Sequence, residues 1–192
     1  MLCGSAEVSQ QNQQPNIDQS GSAERWEPDI HWVADDVAVG GCFPIDRAPD
    51  LARDHAVGAV VDLRKEDRDD EERLRAAGID FLHLPTPDLQ AATAEMLEEG
   101  VRFTRAHTDA GRKVLIHCRH GIGRSALLAL CVLVDRGLEP LDALRQAKDR
   151  RAAVSPSESQ FRGWTKWLAS RGKQAPDYHA FGCIAYRHLA GS

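Results

Sequence analysis

The 192-residue chain has no pair of cysteines spaced C-x-x-C, no apolar run long enough to cross a bilayer and no excess of positive charge. Each absence removes a class of protein. The five cysteines fall at positions 3, 42, 118, 131 and 183. An odd, unpatterned set builds neither a disulfide framework nor a zinc site, and it fits a reducing compartment. The longest apolar stretch, ALLALCVLV over residues 126–134, is far shorter than the ~20 residues of a spanning helix. The opening MLCGSAEVSQQNQQ has neither the basic segment nor the apolar core of a secretory leader. A cytoplasmic protein with no membrane partner is expected. The net charge of −5 supplies no overall attraction for nucleic acid, so any anion site must be local. Aromatic residues are few, at 6%, but 42% apolar and 28% charged residues are globular proportions for one domain with a real core.

Residues 1–24 are rich in Gln, Ser and Asn, and a disordered arm is expected there. Ordered sequence begins near Trp26. IHWVADDVAVGG reads as two short strands around Asp35-Asp36, and the β-branched run at 56–63 as a buried strand. A short helix stopped by Gly78 follows, then a strand at 79–84 closed by the stiff PTPD. The spacing of Leu97, Val101 and Thr104 predicts a helix over 93–110, and KVLIHC at 113–118 another buried strand. Helices are expected from RSALLALCVLVDRG, over 140–150 from Pro140, and over 157–171 with Gly172 as stop. Strands alternating with helices specify an α/β fold, a central, largely parallel mixed sheet flanked by helices. The tail at 172–192 has enough aromatics to dock, with no role assigned.

Chemistry concentrates in VLIHCRHGIGRSALL. Cys118 stands where a buried strand ends and a helix begins, the place where open α/β sheets bind ligands. Gly121 and Gly123 allow a tight turn that points successive N–H groups inward as an anion nest at a helix N-terminus. Arg124 adds a planar fork suited to two phosphate oxygens. From Ala110 to Val134 there is no acid, while Arg112, Lys113, Arg119 and Arg124 are cationic. The field that binds a phosphate also stabilises a thiolate, so Cys118 is placed as a nucleophile towards an anionic electrophile.

HCRHGIGRS resembles the H-C-x-x-G-x-x-R-[ST] signature of the cysteine-based protein tyrosine and dual-specificity phosphatases, compact branch. The resemblance extends over about residues 30–168, through VAVGG, VVDLRKE and LPTPD. It implies that fold for residues 25–171 and a metal-independent, cofactor-free phosphatase acting on phosphotyrosine, or phosphoserine and phosphothreonine, in proteins. In that mechanism Cys118 attacks phosphorus, and Arg124 with the loop residues Arg119, His120, Gly121, Ile122 and Gly123 cradles the phosphate. His117 supports the thiolate and Ser125 helps it leave. Gln160 matches a glutamine that positions the hydrolytic water in some members.

A monoester also needs a proton on its leaving oxygen. Asp88, in the loop stiffened by Pro85 and Pro87, is the candidate acid, with Asp62 and Asp80 as rivals. Arg64 is expected to brace the loop, Glu66 to Glu72 to form a solvated acidic face, and Cys131 to be a small apolar helix residue. The stretch after Ser125 lacks the Ala-Tyr pair of relatives that act on MAP kinases. Alternatives within the superfamily are a phosphoinositide phosphatase and an RNA 5′-triphosphatase. A non-catalytic phosphate-binding module is the alternative outside enzymes.

Overall fold

The computed structural model describes residues 26–189, so the arm expected over 1–24 and Cys3 lie outside the described residues. Five strands form one sheet in the order β1-β2-β5-β3-β4. β1 (Ile30–Ala34) and β2 (Val37–Gly40) make the hairpin around Asp35-Asp36, the antiparallel pair among the described strands. β2, β5 (Lys113–His117), β3 (Val57–Arg64) and β4 (Asp80–Thr86) run parallel. The central strands are buried on both faces, which is why they read as continuous apolar runs.

Alternation along each strand sorts side chains between two cores. Val114, Ile116, Val39 and Val61 join one core; Leu115, Ala38 and Val60 join the other. The second core is closed by α1 (Ala48–His55) and α2 (Glu71–Ala76) through Leu51 and Leu74. The first is covered by α3 (Ala94–Asp109), α4 (Arg124–Asp135), α5 (Pro140–Arg150), α6 (Glu158–Ser170) and α7 (Tyr178–Ala185). α4 is buried on every side from Arg124 to Val134, so its polar residues must be satisfied inside the protein. None of the described helices is both long and apolar enough to cross a membrane.

Three elements differ from the sequence expectations. β4 runs on through Pro85 to Thr86 rather than stopping at residue 84. It is an edge strand, where a residue without an N–H costs no ladder bond. Helix α1 was not anticipated, because it ends at Ala56 in a left-handed conformation (φ 57) with no glycine to mark the stop. The tail holds helix α7, capped by Asp177, which accepts a bond from Ala180 N at 2.9 Å. Phe181 on α7 is fully buried against Phe161 and Trp164 of α6, so the tail shares the larger core.

Candidate active site

Cys118 follows directly on β5, the middle strand, and is 3% exposed. The loop that carries it to α4 is held by its carbonyls. Arg119 O accepts from Cys42 N at 3.2 Å, and Ile122 O from Ser155 N at 3.0 Å. His120 O and Gly121 O accept from Nη2 and Nε of Arg151, at 2.9 and 2.8 Å. Arg151 is itself buried and fixed by both oxygens of Asp29. A trans peptide whose carbonyl is held outwards has its N–H directed inwards. The N–H groups of His120, Gly121 and Ser125 accordingly bear on Cys118. Gly121 sits at φ 65, where a Cβ would lie 2.5 Å from the Gly40 carbonyl carbon.

The Cys118 thiol is shaped by two opposing effects. Burial pushes its pKa up; the Ser125 hydroxyl, 3.3 Å from Sγ, and those three N–H groups outweigh it and hold the pKa below that of a free thiol. The loop is a thiolate hole before any substrate arrives.

Arg124 is almost wholly buried beside it. Its Nη1 and Nη2 donate to the two oxygens of Glu66 at 2.7 and 2.8 Å, and Nη1 also donates to Thr86 O at 3.0 Å. Burial would lower its pKa, but Glu66 and the Cys118 charge raise it, so the guanidinium stays charged. The same bonds hold the Glu66 carboxyl down at about 2. Nε of Arg124 is buried with no partner among the described residues, an edge that a phosphate oxygen would satisfy.

Behind the cysteine, His117 Nε2 lies 2.8 Å from Asp69 Oδ2 and 3.9 Å from Asp62 Oδ1, all three residues buried. Arg64 supplies the charge these carboxylates need, with contacts of 2.9 Å to Asp62 and 2.5 Å to Asp69. Arg64 thus braces the acids behind His117 rather than the cysteine loop itself, where it was expected. The run from Glu66 to Glu72 is not the solvated face the sequence suggested. Asp69 turns inwards to His117 and Arg64, Glu66 turns to Arg124, and α2 starts only at Glu71. Six acids among seven residues look alike in the sequence; which of them fold inwards is decided by buried arginines. Nothing in the local pattern marks Glu66, Asp69 or Arg151.

Asp88 stands over the opening, 65% exposed, with Oδ1 3.2 Å from Arg124 Nη2. Its segment is pinned to the start of α6. Ser157 Oγ donates to Leu89 O at 2.6 Å, Gln160 Nε2 to Gln90 O at 3.2 Å, and Ser159 Oγ to Gln90 Oε1 at 3.0 Å. Gln160 is no exposed helix residue. It is buried, accepts from Ser157 N at 2.8 Å as part of a capping box, and packs against Gly123, where a Cβ would lie 2.5 Å from its Oε1. Asp88, Cys118, Ile122, Arg124 and Gln160 all line one cavity of about 120 Å³. The rival acids are elsewhere. Asp62 is locked to Arg64, and Asp80 pairs with His107 and Arg112 at the start of β4, the opposite end of the sheet. His120 and Arg119 lie exposed at the rim. Cys131 is fully buried in α4, and burial pushes its thiol well up, as an apolar helix residue requires. Among the described residues Cys42, Cys118, Cys131 and Cys183 are free thiols.

A parallel strand, a cysteine loop braced from outside and a buried arginine on the following helix define the cysteine-based protein tyrosine phosphatase class, in its compact dual-specificity form. Residues 41–138 match the family model described as "Polymorphic toxin system, DSP-PTPase phosphatase", and the chain belongs to that family. It is 32% identical over 95 residues to a protein of Acanthamoeba polyphaga mimivirus named as a putative tyrosine-protein phosphatase, over 45% of each chain. It is 35% identical over 81 residues to mouse dual specificity protein phosphatase 1, over 41% of this chain and 22% of that protein. The matches therefore span less than half of these relatives. Among solved structures, Tk-PTP in its active form superposes with a TM-score of 0.68 at 28% identity, over 74% of this chain and 97% of its own. PTPMT1 in complex with PI(5)P shares the fold at 22% identity and a TM-score of 0.69, over 75% of this chain and 99% of its own.

Proposed function

We propose that this chain is a metal-independent phosphatase that hydrolyses phosphotyrosine in proteins through a phosphocysteine intermediate, with residues 25–171 as its catalytic domain and the cytoplasm as its compartment. The observation that carries the reading is Cys118 Sγ set among inward N–H groups, with its pKa lowered, beside the buried Arg124. The thiolate attacks phosphorus as the ester bond breaks, and Asp88 in its acid form gives its proton to the leaving phenolic oxygen. Arg124 and the loop N–H groups balance the charge on the equatorial oxygens, which is the largest contribution expected of such a site. Asp88, now a carboxylate, takes a proton from the water that attacks the phosphocysteine. Gln160, which lines the cavity, orients that water, and Ser125 donates to the departing thiolate. His117, tied to Asp69, holds the end of β5 and so the position of the sulfur.

An aryl ester is supported by the two large apolar residues that line the cavity while facing solvent, Leu89 at 65% and Ile122 at 39% exposed. A phosphoinositide is the second reading, favoured by the rim cation Arg119 and by the lipid headgroup that PTPMT1 binds. The test is phosphate release from a phosphotyrosyl peptide in the presence of a chelator. Release that survives chelation and disappears in Cys118→Ser is the expected outcome. Turnover by Cys118→Ser comparable to wild type would sink the covalent route.

A further inference from the structure

The polar bonds that draw the acid segment onto α6 do not by themselves fix how close it comes. Gln90 N donates to Pro87 O at 3.1 Å, so Asp88 and Leu89 are the two corners of a hydrogen-bonded turn. Leu89 holds the second corner at φ 60, a left-handed conformation that such a corner requires. On the entry side Thr86 O is bound by Arg124, and on the exit side Leu89 O and Gln90 O are bound by Ser157 and Gln160. Hydrogen bonds can lengthen; a steric stop cannot. The stop is Gly163, three residues beyond Gln160 on the same ridge of α6. A Cβ there would lie 2.2 Å from Ala91 Cβ, the closest approach at any described glycine. Two carbons in ordinary contact stand about 3.5–4.0 Å apart, so a methyl at this place would displace the segment by more than ~1 Å. The backbone gives no other reason for the residue. Gly163 sits in the middle of α6 without a positive φ, where glycine weakens a helix relative to alanine.

We infer that Gly163 is a positioning residue for the acid: by admitting Ala91 against α6 it sets the height of the turn and so brings the Asp88 carboxyl over the leaving oxygen. The inference rests on the reading of Asp88 as the proton donor. Asp88 Oδ1 is 3.2 Å from Arg124 Nη2, on the guanidinium that is to hold the phosphate. A segment lifted off α6 carries the carboxyl away from that guanidinium and from the ester. The consequence is selective. A tyrosyl oxygen must receive a proton as its bond to phosphorus breaks, whereas p-nitrophenolate is stable enough to leave without one. Gly163 does not line the reaction cavity, yet it governs which esters are turned over.

The experiment uses Gly163→Ala, Ala91→Val and the double variant of Ala91→Gly with Gly163→Ala. Ala91→Val adds bulk from the segment side and leaves the sequence of α6 intact. The double variant moves the methyl across the contact, where the nearest remaining atom, Ala91 Cα, is 3.7 Å from the new Cβ. Each is assayed for kcat on a phosphotyrosyl peptide and on p-nitrophenyl phosphate, and for the rate at which iodoacetate alkylates Cys118. In both single variants kcat for the peptide should fall about 10²-fold, with less than about threefold change on p-nitrophenyl phosphate. The double variant should return to within about threefold of wild type on the peptide, and alkylation should keep its wild-type rate throughout. Equal losses on the two esters, or slowed alkylation, would assign Gly163 to the packing of the cysteine loop and overturn the inference. So would a peptide kcat that both single variants leave unchanged, or a loss that the double variant does not restore. Should Gly163→Ala fail to fold, Ala91→Val and the double variant decide by the same criteria. Hydrolysis of p-nitrophenyl phosphate by every variant keeps the phosphatase reading even where the inference fails. Wild type inactive on both esters overturns that reading and the inference with it.

Discussion

The loop from Cys118 to Ser125 and the segment from Pro87 to Ala91 face the same cavity and are held in opposite ways. The first is anchored through its own carbonyls by Cys42, Arg151 and Ser155, and its working groups are buried. The second is exposed at Asp88 and Leu89, held by side chains at the start of α6 and by the Asp88–Arg124 pair, and carries one strained residue, Leu89 at φ 60. The difference suits the task that the proposed mechanism gives each. Stabilising a charge that forms in one place needs dipoles already fixed there, because reorienting them during the reaction would cost the energy they supply. Delivering a proton needs one group that can approach a leaving oxygen and then a water, and exposure leaves Asp88 free to do both.

The contrast can be broken from either side. Asp88→Asn should lower kcat by about 10²–10⁴-fold for a poor leaving group such as a tyrosyl peptide, and by much less for p-nitrophenyl phosphate. Its melting temperature should stay that of wild type, since Asp88 is exposed; an equal loss on both substrates would make Asp88 structural. Gly121→Ala should damage both properties together, because the new Cβ meets the Gly40 backbone and φ 65 disfavours it. A loss of about 2–3 kcal/mol in denaturant unfolding, with kcat falling alongside, is expected. A stable, active Gly121→Ala would show that the cradle is not rigidly set. The smallest effect belongs to Leu89→Gly. Relief of left-handed strain, roughly 1–2 kcal/mol, is opposed by roughly 0.5–1 kcal/mol of added chain entropy, so stability should change by less than about 1 kcal/mol in thermal melts. A large loss would mean that the acid segment is as firmly built as the cradle.

How far the sequence speaks for the site follows the same division. Cys118, Arg124, Ser125 and the glycines are local, one loop between a strand and a helix, and their spacing makes them legible. Asp88 was found through the prolines that stiffen its loop, and it lies 3.2 Å from Arg124. Gln160 was noticed through the family resemblance, but its burial against Gly123 depends on how α6 packs. Glu66, Asp69 and Arg151 escaped because their partners lie 58, 48 and up to 122 residues away. In the fold, the buried central strands and the glycine-ended helices were clear, while α1 lacked a stop signal and α7 declared itself only by its aromatics.

By itself, then, the sequence determined the alternation of strands and helices, the nucleophile loop and its charge, because each is written in neighbouring residues whose period and conformational preference are local. Only the tertiary structure decided which acids face inwards and which arginine holds the loop carbonyls. Those choices depend on burial, where a carboxylate without a guanidinium beside it is too costly to keep, and burial belongs to the packed chain rather than to any stretch of it.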